Sequence, residues 1–320
     1  MSDEKIRILY ISGAGRSGST LLAQMLAQLD GFTAAGELRH FWERGMLKNQ
    51  LCSCGEPFHA CPFWQDVVTI LESDSKSVDA EKMLRTRQAF SGKRWLFRSL
   101  RMGRTPDDSI ADDYVQNLSS LFRAVSEVAG NRIIVDSSKN PSDVRTLRRL
   151  LNCEVYVLHL VRDSRAVAHA WTKKKRRPEI PDEDVSFKRY PPFITAIRWA
   201  LHKNLLTEWI SQGKRAYLRL RYEDLVLNPR ESLESVLAFT HQDKVELSPR
   251  FLDGGFIIEE PSHMVSGNPV RFSKGQIRLE LDDEWKRKMD PLQKAVVTLL
   301  TFLLLFRYGY LRRYREDREK

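Results

Sequence analysis

The chain has 320 residues, 42% of them hydrophobic and 29% charged, the ordinary balance of a globular protein able to bury a substantial core. Its net charge of +10 is concentrated, because Lys173–Arg177 is a run of five cations and the tail Arg307–Lys320 holds six basic against three acidic residues. That local basicity argues against a nucleic-acid-coating protein and reads as solvated surface or as contact with a polyanion or membrane.

The first apolar run, Ile6 to Ile11, predicts a buried strand. It leads into Ser12-Gly13-Ala14-Gly15-Arg16-Ser17-Gly18-Ser19-Thr20 and then an apolar-periodic segment, Leu21 to Leu29. Strand, glycine-bearing turn and helix in that order aim several backbone N–H groups and a helix dipole at one point, which suits a phosphate or sulfate. The frame is that of a Walker A loop, except that Ser19 stands where the lysine belongs and Arg16 sits inside the loop. An anion is expected there, but not Mg·ATP.

Cys52, Cys54, His59 and Cys61 follow within ten residues. They could make a tetrahedral zinc site, but Cys-x-Cys is not the usual knuckle spacing, so a disulfide or buried thiols is the preferred reading. Cys153 is read as core. Residues 73 to 130 read as helices interrupted at Gly92, Gly103 and Pro106, an insert over the sheet.

Ile133-Ile134-Val135 predicts a short strand, with Ser142 capping a helix that runs to Leu151. Val155 to Val161 predicts another strand, broken by His159, and a helix follows to about Trp171. His159 is read as core and His169 as surface. Lys173 to Pro192, charged and holding four prolines, predicts a mobile loop or lid. Ile194 to Ile210 predicts one helix and Ala216 to Leu220 a strand leading into Tyr222. The 12 apolar residues Ala295–Phe306 are too short for a membrane span of about 20 residues and predict a buried terminal helix. Arg307 and the tail beyond it allow peripheral membrane contact. With a charged N-terminus and no leader-like apolar run, a cytoplasmic location is expected.

Repeated strand–helix alternation implies a parallel sheet covered by helices on both faces, one domain over 1–320 with an insert at about 40–130 and a helix and tail at about 290–320. Ligands bind such sheets beyond the strands' carboxyl ends, where Arg16, Lys139, Arg162 and Tyr222 each fall.

With these segments in hand the chain resembles the sulfotransferases that use 3′-phosphoadenosine-5′-phosphosulfate (PAPS). Arg16-Ser17-Gly18-Ser19-Thr20, with Gly15, looks like the family's 5′-phosphosulfate loop. Leu160-Val161-Arg162-Asp163-Ser164-Arg165 looks like the segment whose arginine grips the 3′-phosphate, here Arg162. Arg221-Tyr222-Glu223-Asp224-Leu225 with Asn228-Pro229 matches the stretch whose tyrosine lines the nucleotide site. Gly267-Asn268-Pro269-Val270-Arg271, Lys274-Gly275 and Asp283-Glu284-Trp285 are similar to the closing C-terminal loop, which brings Asn268, Arg271 and Lys274 to the nucleotide.

The nearest pattern is that of the protein-tyrosine sulfotransferases and related bacterial enzymes. There a glutamate 21 residues beyond the loop arginine is the base, and Glu37 stands 21 beyond Arg16. Ser138-Lys139-Asn140-Pro141 occupies the place of the lysine turn that stabilises the transferring group. Ala170 replaces an expected hydroxyl, with Thr172 nearby, and Lys174 stands for the basic residue four further on.

The resemblance implies a P-loop NTPase-like three-layer fold, PAPS as co-substrate, 3′-phosphoadenosine-5′-phosphate (PAP) as product and no metal requirement. The acceptor group would be a hydroxyl (or amine), carried on a carbohydrate, lipid, small molecule or peptide. Glu37 is expected to be a general base with a pKa raised by burial, and His40 its reserve; Lys139 and Arg16 would stabilise the transferring group. The rival readings are a P-loop kinase, disfavoured by Ser19, and a non-catalytic anion-binding module, disfavoured by Glu37 and Lys139.

Overall fold

The computed structural model describes residues 5–74, 79–91, 108–180, 185–211, 216–245, 247, 255–259 and 261–311. Five parallel strands form the centre: β1 (Ile6–Gly13), β2 (Phe32–Gly36), β3 (Ile133–Lys139), β4 (Cys153–Val161) and β5 (Tyr217–Arg221), in the order β2-β3-β1-β4-β5. The middle strand β1 is apolar on both sides because both of its faces are covered. Ile8 and Tyr10 belong to one core, Leu9 and Ile11 to the other.

On the first face lie α2 (Pro62–Asp74), α3 (Ala80–Ser91) and α4 (Asp108–Val128), which contribute Trp64, Val67, Leu121, Phe122 and Val125. On the second, α1 (Ser19–Ala27) buries Leu22, Met25 and Leu26. A fully buried side chain of this kind contributes about 1.5–3 kcal/mol, so the layers hold through many such contacts rather than one. These elements are helical where described; the interruptions at Gly92, Gly103 and Pro106 lie outside the described residues.

Several elements depart from the sequence reading. β2 was not expected: its Thr33, Ala34 and Ala35 give little strand signal, and pairing with β3 alone makes the strand (Phe32 opposite Ile133). β3 runs on to Lys139 because polar Asp136 pairs opposite Tyr10, and Lys139 opposite Ser12 beyond a bulge. His159 does not break β4; it is fully buried, bonded to Tyr217 OH at 2.8 Å and Asn204 Oδ1 at 2.7 Å. The next helix, α5, spans Pro141–Leu147 and its N-cap is Asn140, not Ser142. The Asn140 amide instead donates to Ser142 Oγ and Asp143 Oδ1, each at 2.6 Å.

Helix α6 (Ser164–Thr172) follows β4. The segment expected as one helix is α7 (Pro192–Ile197), a π-helical stretch Arg198–Leu205 and α8 (Leu206–Ser211). β5 leads through α9 (Tyr222–Leu227) into α10 (Pro229–Phe239) on the second face. Where described, the expected lid folds back on itself: Arg177 N donates to Val185 O and Phe187 N to Lys175 O, both at 2.9 Å. A two-stranded ribbon, β6 (Gly255–Ile258) with β7 (Gly275–Arg278), precedes α11 (Trp285–Lys288) and α12 (Pro291–Arg307).

α12 is buried on one side only. Val297, Thr301, Leu304 and Leu305 face inward, whereas Leu292, Leu299 and Leu303 are 73–80% exposed. Among the described residues no helix is long and apolar enough to cross a membrane. The tail from 312 onward lies outside them.

The four cysteines are free thiols, so no disulfide forms. His59 does not join Cys52, Cys54 and Cys61; its Nε2 sits 3.0 Å from the Met46 carbonyl.

Candidate active site

The turn after β1 is shaped by its neighbours. Arg16 adopts φ 69° and Gly18 φ 87°, left-handed values that glycine accepts without strain. A Cβ on Gly18 would lie 2.5 Å from the Tyr222 ring, and one on Gly15 2.9 Å from Trp171. These glycines let two aromatic rings close on the loop. α1 begins at Ser19, so its N-terminal amides and dipole face the cleft. Ser17 is buried behind the turn, and its Oγ has no hydrogen-bond partner.

A cleft of about 610 Å³ opens at the carboxyl ends of the strands, within the usual size range for ligand sites. Gly15, Arg16, Gly18, Ser19 and Thr20 line it, together with Glu37, Lys139, Arg162, Lys174, Tyr222 and Asn268. Eight cationic side chains face it against three carboxylates, so the cleft favours an anion. Arg271 and Lys274 are not among the lining residues. Arg271 is buried behind the cleft, donating to Gly267 O at 2.9 Å and Leu51 O at 3.2 Å; Lys274 is exposed.

At one end of the cleft Glu37, just past β2, meets Lys139 at the end of β3: Nζ donates to Oε1 at 2.6 Å and to Ser137 O at 2.9 Å. Lys139 holds φ 65°, a turn out of the strand that brings its side chain back to the neighbouring strand's end. His40 Nε2 lies 3.5 Å from the other carboxylate oxygen, Oε2. Burial pushes the Glu37 pKa up, but Lys139, His40 and Arg44 outweigh it and hold the group at about 2. The raised value expected from burial alone is therefore reversed by the cation beside it. Burial lowers His40 to about 4, so its imidazole is neutral at neutral pH.

At the other end Arg162, 5% exposed, donates to the Arg16 carbonyl at 2.9 Å and to the Asp282 carbonyl at 2.9 Å, and pairs with Asp282 Oδ2 at 3.0 Å. Its guanidinium lies 4.3 Å from the Tyr222 ring centre, and its buried Nε has no hydrogen-bond partner. Asp163 caps α6 by accepting from Arg165 N at 2.8 Å, and Arg165 folds back onto the same carboxylate and over Trp285. Part of the Arg162–Arg165 pattern and the Trp285 pattern is thus structural. Arg16 itself lies between Trp171 and Phe187, 5.2 and 4.9 Å from their ring centres.

Asn268 covers the loop: its N–H donates to Thr20 Oγ1 at 3.1 Å, and its Oδ1 accepts from Lys175 at 2.9 Å. Arg44, Trp171, Lys175 and Phe187 also line the cleft and were not picked out in the sequence. Arg44, bonded to Ser266 Oγ at 2.6 Å, sits seven residues after Glu37 without a motif of its own. The run Lys173–Arg177 was the signal for Lys175.

Sheet, glycine turn and anion-receptive cleft define an α/β protein of the P-loop kind. The chain matches the sulfotransferase family over residues 9–244 and belongs to that family; it is a transferase. It is similar in structure to the sulfotransferase domain from the curacin biosynthetic pathway, at 21% identity and TM-score 0.55, over 94% of this chain and 98% of that one. It is also similar to the sulfotransferase domain of the Synechococcus PCC 7002 olefin synthase (19%, TM-score 0.48, 94% and 95%). A third similar structure is mouse sulfotransferase SULT7A1, solved with PAP (11%, TM-score 0.42, 100% and 90%). Among curated proteins none matches the chain in sequence.

Proposed function

We propose that the chain moves a sulfuryl group from PAPS to an acceptor hydroxyl. The observation that carries this reading is the 2.6 Å Glu37–Lys139 pair in the same cleft as the Gly15–Thr20 turn. The turn amides, Ser19, Thr20 and Arg16 would hold the 5′-phosphosulfate, and Arg162 with Lys174 the 3′-phosphate. Tyr222 would line the nucleotide and Asn268 close over it. Arg271, behind the cleft, would act by holding the Gly267 carbonyl of the loop that Asn268 closes. The orphaned Nε of Arg162, which lines the cleft, fits a site that still has a donor to offer an anion.

In the transfer the bond from sulfur to the 5′-phosphate oxygen breaks as a bond from sulfur to the acceptor oxygen forms. The acceptor proton passes to Glu37, and PAP leaves. Lys139 already touches Oε1, which leaves Oε2 to take the proton. As Lys139 turns to the charge growing on the bridging oxygen it weakens its hold on Glu37, and the carboxylate's basicity rises when the base is needed. No step in this scheme calls for a metal at the reacting centre. The acceptor hydroxyl belongs to a carbohydrate, lipid, small molecule or peptide. Cysteines outside any disulfide suit the reducing cytoplasm. The exposed leucines of α12, ending at Arg307, suit peripheral contact with an anionic membrane, which failure to co-sediment with phosphatidylglycerol vesicles would overturn.

The test is thermal stabilisation by PAP without metal, beside Mg·ATP. PAP at about 100 times its Kd should add about 2.7 kcal/mol to the folded state, and at that concentration Arg162→Ala, binding about 10–100-fold more weakly, should cut the gain to about 0.4–1.4 kcal/mol. A response to Mg·ATP alone would assign the cleft to a kinase. No response to either nucleotide would favour the anion-binding module.

A further inference from the structure

Away from the cleft, four side chains from two distant parts of the sequence converge on one point. The sulfurs of Cys52, Cys54 and Cys61 and a ring nitrogen of His263 all lie within 4.8 Å of one another. Cys54 Sγ is 3.7 Å from Cys61 Sγ, and Cys61 Sγ is 3.2 Å from His263 Nδ1. A disulfide needs about 2.05 Å between sulfurs. Two thiolates sharing a tetrahedral zinc at about 2.3 Å each stand about 3.8 Å apart, which the Cys54–Cys61 separation of 3.7 Å matches. We infer that Cys52, Cys54, Cys61 and His263 form a tetrahedral zinc site of three thiolates and one imidazole.

The backbone around the four residues supports such a site. Cys52 N–H donates to Glu56 O at 2.8 Å and Gly55 N–H to Cys52 O at 3.0 Å, closing a tight turn that carries both Cys52 and Cys54. Gly55 takes φ 103° with no atom close to where a Cβ would be, so it is the backbone conformation and not crowding that calls for glycine. Cys61 immediately precedes α2, and its carbonyl accepts from Gln65 N at 2.9 Å; a helix start favours a thiolate there. The His263 ring is stacked on Phe63, 5.1 Å between centres and 4° from parallel, which fixes the direction of its Nδ1. Three sulfurs and one imidazole are a soft-to-borderline donor set with the charge and geometry that zinc prefers. On binding, the three thiols release their protons to solvent and the imidazole binds neutral, which leaves the centre with one net negative charge.

None of the four lines the cleft, so the metal is structural, and what it fixes is legible. His263 begins the stretch that leads to the loop cover. Met264 N–H donates to Ser53 Oγ at 2.7 Å, and Ser53 N–H to Met264 O at 3.2 Å. Val265 N–H then donates to Ala35 O, and Glu37 N–H to Ser266 O, both at 3.1 Å. Asn268 N–H follows onto Thr20. The zinc therefore pins the strap that borders the Glu37 backbone and covers the anion loop.

The experiment is metal analysis of the full chain, purified under reducing conditions with zinc supplied, together with X-ray absorption at the zinc edge. About one zinc per chain is expected, with three sulfur neighbours and one nitrogen. His263→Ala should lower the content at least about tenfold, His263→Cys should restore it with an all-thiolate ligand set, and His59→Ala should leave it unchanged. Wild-type protein without zinc, zinc fully retained in His263→Ala, or a Cys54–Cys61 disulfide in the fresh protein would each overturn the inference. Metal content is read without any nucleotide or acceptor, so this result and the sulfuryl-transfer reading fail separately.

Discussion

The two ends of the cleft handle charge in opposite ways. At the ends of β2 and β3, Glu37 and Lys139 neutralise each other at 2.6 Å, with a neutral imidazole beside them. Toward β4, Arg16, Arg162 and the lysines 173–175 present cations in excess of carboxylates. A self-compensated pair suits groups that must move a proton and then exchange partners, whereas a cationic surplus suits holding an anion whose charge does not change. Burial alone does not distinguish them, since Glu37 and Arg162 are both largely withdrawn from solvent.

Substitutions at the paired end should separate chemistry from binding. Glu37→Gln should lower kcat by about 10²–10⁴ with PAP affinity nearly unchanged, read by single-turnover transfer beside calorimetric titration. Equal losses in both measurements would break the contrast between the ends. Lys139→Ala should cost about 10²–10³ in kcat and should also move the acid limb of the pH–rate profile upward. Without its cation, Glu37 is governed by burial, which raises its pKa from the present value of about 2. An unmoved acid limb would mean that Glu37 is not the titrating base.

At the cationic end, Arg162→Ala should weaken PAP binding about 10–100-fold, the loss expected for charged hydrogen bonds worth about 1.5–3 kcal/mol. Binding within twofold of wild type would remove Arg162 from the nucleotide.

The smallest effects concern stability against pH, and here two buried carboxyls oppose each other. Glu37, held at about 2, contributes stability above its unfolded pKa of about 4.3 that is lost as the pH falls through 2. Asp136 is raised to about 7, chiefly by burial, so its contribution is complete below about 3.9 and fades as the pH rises through 7. Denaturant unfolding from pH 3 to 8 should show Glu37→Gln flattening the acid side and Asp136→Asn the neutral side. The reverse assignment would contradict the electrostatics of both groups.

How much of this was legible in the sequence depended on distance along the chain. The anion turn is local, a glycine-bearing junction between an apolar strand and a periodic helix, and it could be read directly. β4 stood out as a near-continuous apolar run, and β5 as a short strand leading into Tyr222. The Glu37–Lys139 contact joins residues 102 apart; both were picked out by pattern, but their contact, and with it the low pKa of Glu37, depends on β2 pairing beside β3. β2 itself is nearly silent because small residues at a sheet edge need little hydrophobic pattern. His59 lay close to the cysteines in sequence, whereas His263, 202 residues from Cys61, is the one that reaches them. The exposed side of α12 was missed because a continuous apolar run does not reveal which of its faces has a partner.

Arg162 gathers the turn after β1, Tyr222 and Asp282 onto one guanidinium. These pieces are separated by most of the polypeptide, and the last of them is residue 282 of 320. During synthesis, then, the turn that carries Arg16 is made well before Asp282, the last piece of its clamp. Until Asp282 follows, the strands beside that turn are held by apolar packing.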